Sequence, residues 1–274
     1  MNLTPRFYFT VHPGDLIRGR LIPGCHIMLV ASAHWDDDKK RFRVVRPPAD
    51  HVSSIVIDSG GFTAAKRWGS YPWTHQQYVD WIRATSRDVI LDFCAVMDYA
   101  CEPNVDRSIL ATNKDRIKAT IKNEMELKRI APDLPWLPVL QGDNLLERAY
   151  DLDRRCKLGA LPAGYAGLGS VCGRGAGGAK SVVKFYADQL PGVRYHGFGM
   201  HIQALDDDAV YNAIRSWDSY SWNWGRGQKD MDRPVEYLRK DDESWTFFSR
   251  RLAQLYWDNT IAPRLNKDRQ LSLF

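Results

Sequence analysis

Residues 54–62 read SIVIDSGGF, an apolar run that ends in an aspartate, a serine, two glycines and a phenylalanine. A short run that is apolar on both faces is typical of a strand buried in a parallel sheet. The pair Gly60-Gly61 predicts a turn, and residues 74–86 then predict an amphipathic helix with Thr74 as its N-cap. The stretch therefore predicts one strand–turn–helix unit.

The same alternation continues in both directions along the chain. Further strands are predicted at 26–33, 89–97, 136–141, 165–171 and 193–199, and further helices at 107–130, 144–156, 180–190 and 207–217. Alternating strands and helices predict a parallel sheet with right-handed crossovers. Because six or more units follow one another without a linker, we expect an α/β fold of the (β/α)8 (TIM) barrel type. It would form one domain over 1–274, with a peripheral helical segment from about 230 to 274.

The composition excludes several classes of protein. The chain has 274 residues, of which 44% are hydrophobic and 26% are charged, as in soluble globular proteins. It has no apolar run long enough to span a membrane and no signal-peptide pattern at residue 1, so we expect a cytoplasmic location and no membrane partner. The five cysteines form no Cys-x-x-Cys pair, which argues against a zinc knuckle and against a disulfide scaffold. The net charge of +5 is only a weak indication of an anionic partner.

Polar residues and glycines follow the predicted strands. Asp58, Asp98 and Asp218 lie at three strand ends, and Gln141 lies at a fourth. In a barrel of this type the carboxyl ends of the strands meet at the face that carries the active site. Glycosyl chemistry uses paired carboxylates, one to attack or stabilise the anomeric carbon and another to move protons. Each aspartate also has a simpler interpretation, as the N-cap of the helix that follows it.

Three other patterns are weaker. Residues 173–178, GRGAGG, have the glycine content of a phosphate-binding loop but lack its Lys-Ser/Thr pair. His196 and His201 lack the spacing of a metal-binding motif and fit packing or substrate contact better. A basic run fits either a nucleic-acid backbone or a solvated hairpin, and it comprises Lys39, Lys40, Arg41, Arg43 and Arg46.

Taken in order, several of these segments resemble the motifs of the tRNA-guanine transglycosylases, which are (β/α)8 barrels. The segments are DSGGF at 58–62, Gln141-Gly142, the glycine-rich stretch 165–171, Gly197-Phe198-Gly199 and Trp217-Asp218-Ser219. The resemblance implies that Asp218 is the nucleophile that attacks the anomeric carbon, and that Asp58 is the general acid/base. It also implies a base-binding group of Ser59, Phe62, Asp98, Gln141, Gly167, Gly169 and His196.

Within that group the resemblance assigns separate tasks. Asp98 would read the Watson–Crick edge of the base, and Gln141 would contact the purine carbonyl beside backbone N–H groups at 167–169. Phe62 and His196 would enclose the base between them. Flat apolar walls with a few fixed polar groups suit a purine, and the target nucleotide must be flipped out of its stack to be reached.

Departures from the family pattern favour one branch of it. The tRNA enzymes carry a structural zinc site, CxCxxC with a distant histidine, whereas no cysteine follows Cys172 here. The chain therefore most resembles the deazapurine DNA modification proteins (DpdA type) of phages and bacterial gene clusters. That resemblance implies exchange of guanine in DNA for a free 7-deazaguanine base such as preQ0. It implies no zinc and no other cofactor, and it adds accessory DNA-modification proteins as partners.

Three residues near Asp218 fit a flipped nucleotide. Trp222 and Trp224 would stack on it and Arg226 would contact a phosphate, although each indole equally fits packing at the barrel rim. Three alternatives stay open at this point: the same exchange on tRNA or another RNA, a catalytically inactive barrel that binds nucleic acid, and a glycoside hydrolase. An inactive binding module would need neither Asp58 nor Asp218, and a hydrolase explains neither DSGG nor the glycine-rich strand.

Overall fold

The computed structural model describes residues 4–17, 21–103, 105, 109–219 and 245–265, with side chains from 250 onward in the last range. The strands are β1 (Arg6–Val11), β2 (Cys25–Val30), β3 (Trp35–Asp36), β4 (Arg41–Phe42), β5 (Val52–Asp58), β6 (Leu91–Ala95), β7 (Trp136–Leu137), β8 (Val139–Leu140), β9 (Tyr165–Leu168), β10 (Arg194–Gly197) and β11 (Ile214–Ser219).

The helices follow the strands in the expected alternation. They are α1 (Pro13–Ile17), α2 (Ala31–His34), α3 (Gly61–Trp68), α4 (His75–Ser86), α5 (Asn113–Ile130), α6 (Leu145–Lys157), α7 (Gly175–Gln189), α8 (Asp208–Ala213), α9 (Trp245–Tyr256) and α10 (Ala262–Leu265). A 3₁₀ helix, Ile202–Asp206, precedes α8, and a π-helical turn, Trp257–Ile261, joins α9 to α10. None of the described helices is long and apolar enough to cross a membrane.

Nine strands form one parallel sheet in the order β7-β6-β5-β2-β1-β11-β10-β9-β8. The two ends of this order, β7 and β8, are separated in the chain only by Pro138. Proline has no N–H to donate and so interrupts the strand, yet the Pro138 carbonyl still accepts a hydrogen bond from the Gly167 N–H at 2.7 Å. Because β7 and β8 occupy one strand position, the sheet closes into eight positions, and the (β/α)8 barrel predicted from the sequence is confirmed.

Side chains fill the barrel interior and block its amino end. Tyr8, Met28, Val56, Phe93 and Leu137 are buried together inside the sheet. Below them Asp92 accepts hydrogen bonds from Arg6 at 2.8 Å, from Tyr8 at 2.9 Å and from Ser54. Since the amino end is closed by this cluster, an accessible site must open at the carboxyl end of the strands.

The structure corrects several predicted elements. Strand β1 was not predicted, because its inward positions Tyr8 and Thr10 are polar and mask the alternation. The predicted helix 207–217 ends at Ala213, and Ile214 begins β11 instead. Helix α7 begins within GRGAGG, at Gly175, and α5 begins at Asn113 with Thr112 as its N-cap. The predicted N-cap of α4, Thr74, is confirmed, and it forms a capping box with Gln77.

The C-terminal helices pack on the barrel beside β1. The Tyr256 ring lies 6.1 Å from the Phe7 ring, and the Trp257 ring lies 6.2 Å from the Phe9 ring. Ile261 is fully buried. The helical extension predicted from the sequence is therefore present over 245–265, and its contacts cover the outer face of β1.

Candidate active site

A cavity of about 1250 Å³ opens at the carboxyl end of the barrel. Its apolar walls include Met28, Phe62, Phe198 and Met200. Polar side chains converge on it from several strand ends, and they include Asp58, Asp98, Glu102, Gln141, Asp143, Arg174 and Asp218. The volume exceeds the roughly 300–1000 Å³ of ordinary small-ligand pockets. The cavity is therefore large enough to take more than an ordinary small molecule.

The DSGG segment places Asp58 at the carboxyl end of β5. Gly60 has a φ of 73°, in the left-handed region where glycine is favoured, and it turns the chain into α3. Gly61 begins α3 against the Asp98 carbonyl and the Tyr71 hydroxyl, and a Cβ there would lie 2.8 Å from that hydroxyl. Only a chain without side chains at both positions can turn this tightly beside Asp98.

Asp58 is poised to carry a proton at neutral pH. Burial raises the pKa of its carboxyl to about 8, and the neighbouring Asp98 and Asp218 carboxylates add to the rise, while the Gly60 and Ser59 N–H groups oppose it. A carboxyl with a pKa near the working pH can both donate and accept a proton.

Asp98 is held from several sides. Ser59 donates to its Oδ1 at 2.7 Å, and the Gln141 amide donates to its Oδ2 at 2.5 Å. Burial raises the pKa of Asp98. The Gln141 carbonyl oxygen accepts from the Ser170 hydroxyl at 2.8 Å, and Gly169 packs directly on the Gln141 side chain, where a Cβ would collide. The carboxylate and the amide therefore face the cavity in one fixed arrangement.

Asp218 lies on β11 with both carboxylate oxygens engaged. Thr10 on β1 donates to Oδ2 at 2.6 Å, and the Gly199 N–H donates to Oδ1 at 2.8 Å. The His196 Nε2 lies 3.4 Å from the same Oδ1. These contacts come from β1, β10 and the turn after β10, and together they fix the orientation of the carboxylate.

His196 belongs to a buried polar chain and is not part of the cavity wall. Its Nδ1 lies 2.6 Å from the Ser216 hydroxyl, which lies 2.6 Å from the Tyr165 hydroxyl. Burial lowers the pKa of His196, so the ring is neutral at pH 7. Its ring packs edge-on against Phe198 with centroids 4.5 Å apart. Phe198 thus lines the cavity where the sequence placed His196.

The remaining residues of the predicted base-binding group divide in two. Phe62 and Gly169 line the cavity, and Phe62 is 39% exposed. Ser59 is fully buried behind Asp98, and Gly167 faces the Phe198 ring, so that neither lines the cavity. The N–H groups of Gly167 and Gly169 donate to the Pro138 and Leu140 carbonyls as part of the sheet, which removes them as donors to a base.

The sequence did not predict three features of the site: Thr10, Phe198, and an ion pair at the rim between Arg174 and Asp143. Thr10 lies on the unpredicted strand, and Phe198 lies inside a segment that was singled out only for its glycines.

Two further sets of predictions concern nucleic-acid contacts and metal binding. The predicted nucleic-acid contacts Trp222, Trp224 and Arg226 fall outside the described residues. Across the described ranges, no group of three or more His, Cys, Asp or Glu side chains is placed to hold a metal ion.

Comparison with known families decides the assignment. A family model described as DpdA, DeoxyPurine in DNA protein A, matches residues 8–237. The chain belongs to the DpdA family. It is therefore a deazapurine DNA modification protein, as the sequence motifs implied. The matched range includes Thr10, the DSGG segment and Asp218, which are the parts of the chain that build the polar side of the cavity. No curated protein matches the chain.

Proposed function

We propose that this DpdA-family protein is a base-exchange transglycosylase that replaces guanine in DNA by a free 7-deazaguanine. The observation that carries the proposal is that Asp58, Asp98 and Asp218 converge on one cavity beside two phenylalanine rings. Among the described residues, none of the three carboxylates forms a salt bridge with lysine or arginine, and the one cation on the cavity rim, Arg174, is paired with Asp143. The carboxylates are thus available for proton transfer and nucleophilic attack.

In the first half-reaction Asp218 attacks C1′ of the flipped deoxyguanosine. A C1′–O bond to the carboxylate forms as the C1′–N9 bond breaks, and Asp58 gives its proton to the departing guanine. Thr10 and the Gly199 N–H hold the nucleophilic carboxylate in position. The raised pKa of Asp58, about 8, supplies a protonated acid at pH 7.

In the second half-reaction the incoming 7-deazaguanine reverses these steps. Asp58, now ionised, takes the N9 proton of the free base as N9 attacks C1′, and the bond from C1′ to the Asp218 oxygen breaks. The proton given to guanine is regained from the deazapurine, so the enzyme returns to its starting state. The same residue serves as acid and then as base, which suits a pKa near neutrality.

Base recognition in this proposal rests on Asp98, Gln141 and the aromatic walls. Asp98 accepts from the N1–H and amino donors of the purine. The Gln141 amide uses one N–H to hold Asp98 and has a second N–H for the purine carbonyl. Phe62 and Phe198 provide the apolar faces, and His196 acts as a positioning residue behind Phe198 and Asp218.

Exchange assays with labelled base test the proposal. The protein is incubated with labelled preQ0 or labelled guanine and, in parallel, with duplex DNA, single-stranded DNA or tRNA. We expect label to enter DNA, and Asp218→Asn to abolish the incorporation. Label entering only tRNA would assign the same chemistry to RNA. Absence of label from every polymer would favour a binding module without exchange activity.

A further inference from the structure

The connection from β2 to β5 carries a basic hairpin where the barrel pattern calls for a long helix. Strands β3 and β4 pair antiparallel, with Trp35 opposite Phe42, and the tight turn between them includes Lys40 at a φ of 49°. Lys39, Lys40 and Arg41 are exposed at its tip, and Arg43 is exposed beyond β4. In the described part of the chain none of these four cations forms a salt bridge.

The hairpin is anchored on an aromatic cluster. The Phe42 ring stacks on Trp81 with centroids 4.9 Å apart, and Trp35 and Phe42 lie 5.4 Å and 5.1 Å from Trp73. The Trp81 indole N–H also donates to the Arg43 carbonyl at 3.3 Å. Because both strands are packed on buried rings, the backbone of the tip that carries the cations is held in place relative to the barrel.

Helix α3 connects the hairpin to the mouth of the cavity. Arg67 pairs with Asp37 of the hairpin turn at 2.8 Å, and the Trp68 indole donates to the same carboxylate at 3.1 Å. Lys66 directly precedes Arg67, and its ammonium lies 5.9 Å from the centre of the Phe62 ring, one turn earlier in α3. Phe62 lines the cavity. Positive charge thus extends from the cavity mouth along α3 to the tip of the hairpin.

This basic surface comprises Lys39, Lys40, Arg41, Arg43, Lys66 and Arg67. The hairpin also carries three carboxylates, and two of them are engaged locally: Asp37 with Arg67, and Asp36 with the Lys39 N–H at 3.1 Å. Six cations against three carboxylates leave a net charge of +3 on a short stretch of surface. A cationic surface on an anchored hairpin, which ends at an aromatic-lined cavity, matches a polyanion whose one flipped unit enters that cavity.

We propose that the basic surface binds the sugar–phosphate backbone of the DNA strand that carries the target guanine. The proposal rests on the function proposed above, since it is the flipped nucleotide in the cavity that brings the neighbouring phosphates over α3 and the hairpin. Phosphate contacts of this kind position the strand and contribute salt-dependent affinity without reading its sequence.

A charge-neutralising variant with a matched control tests this surface. The variant replaces Lys39, Lys40 and Arg41 by glutamine. The control replaces three other exposed cations by glutamine: Arg87 at the end of α4, Lys122 on α5, and Lys157 on α6, which pairs with Asp153. Binding of duplex and single-stranded DNA by each protein is measured directly across a series of salt concentrations, and KM and kcat for exchange are measured separately.

We expect the hairpin variant to bind DNA at least about tenfold more weakly at low salt. The slope of log K against log salt is negative, and its magnitude should fall by about 0.9 on duplex DNA, and by about 0.7 on single strands, for each phosphate that the variant no longer neutralises. The control should keep the wild-type slope, and KM should change far more than kcat. An unchanged slope in the hairpin variant overturns the proposal, as does weaker binding of an acidic protein partner with DNA binding intact. Binding is measured without turnover. If the protein binds DNA through this surface but exchanges no base, that result refutes the proposed function and leaves the basic surface supported.

Discussion

Two groups of carboxylates, one behind β8 and one at the cavity, differ in how their charge is balanced. Behind the strand, Arg155 is fully buried between Glu124 at 2.6 Å and Asp151 at 3.0 Å, and it also donates to the Val139 carbonyl at 2.8 Å. At the cavity, Asp58, Asp98 and Asp218 face one another, with no lysine or arginine bridging them among the described residues.

The difference separates a structural role from a chemical one. The Arg155 group ties α5 and α6 to β8, and Asp151 also accepts the Gln141 N–H at 3.1 Å, so it supports a cavity residue from behind. Removing one member of a compensated buried group leaves an unpaired charge, which is costly. The cavity group holds like charges together, which costs stability and raises a pKa into the range where protons move.

The largest expected effect is the loss of exchange activity when a carboxylate of the cavity group is replaced. Asp58→Asn keeps the size of the side chain but cannot donate or accept the exchanged proton. We expect the exchange rate to fall by about 10²–10⁴-fold, the usual contribution of a general acid/base. Single-turnover release of guanine from labelled DNA measures the first half-reaction directly. A variant that releases guanine at the wild-type rate would remove Asp58 from that role.

The next effect is on stability at the compensated group. Arg155→Leu leaves buried Asp151 without its cation and leaves Glu124 paired only with Lys128 at 2.6 Å. We expect the free energy of unfolding to fall by about 3–5 kcal/mol. Urea denaturation followed by circular dichroism measures it. The control is Arg83→Leu, which breaks an exposed pair with Asp133 at 2.8 Å and should cost less than about 1 kcal/mol. Equal losses in the two variants would contradict the distinction drawn between the groups.

A smaller effect concerns the pH dependence of stability. The raised pKa of Asp58, about 8 against about 3.9 in an unfolded chain, means that the folded state binds the extra proton. Its stabilising effect is present below about pH 4 and is lost as the pH rises toward 8. Relative to Asp58→Asn, the wild type should therefore lose on the order of 2–4 kcal/mol between pH 4 and pH 8 and change little above it. Parallel pH titrations of unfolding, with no divergence, would refute the raised pKa.

The smallest effect is expected at Thr10. Thr10→Val removes the hydroxyl that donates to Asp218 Oδ2 at 2.6 Å while keeping the shape of the side chain. We expect kcat to fall about tenfold, with KM little changed; this is ~1.4 kcal/mol, near the low end for one hydrogen bond to a charged group. Thr10→Ser restores the hydroxyl and should restore kcat. A Val variant with wild-type kcat would show that the Gly199 N–H alone suffices to hold Asp218.

The barrel and the three aspartates could be predicted from the sequence because each rests on local patterns. Apolar runs mark the strands, and the positive φ of Gly60 gives the DSGG turn a local need for glycine. Contacts between residues far apart in the chain leave no local pattern in the sequence. Thr10 meets Asp218 only because β1 and β11 pair in register, with Tyr8 opposite Asp218. No spacing in the sequence encodes that pairing.

The sequence resemblance assigned a cavity wall to His196, whereas Phe198 lines the cavity, and the reason is similar. His196 and Phe198 are two residues apart, so both point to the same face of the strand, and the segment alone cannot say which of the two lies at the level of the cavity. In the structure His196 points into the barrel toward Ser216, and Phe198 follows at the end of β10, where the strand opens into the site. The register of β10 against β9 and β11 decides this, and it becomes visible only in the closed sheet.

The central claim is that Asp218 forms a covalent bond to the deoxyribose of DNA. The direct measurement is to mix the protein with a guanine-containing oligonucleotide in the absence of free base, denature it, digest it and locate any DNA-bearing peptide by mass spectrometry. We predict an adduct on the peptide that contains Asp218, which disappears in Asp218→Asn and when excess 7-deazaguanine is added. An adduct on another residue, or base exchange that persists in Asp218→Asn, would contradict the mechanism.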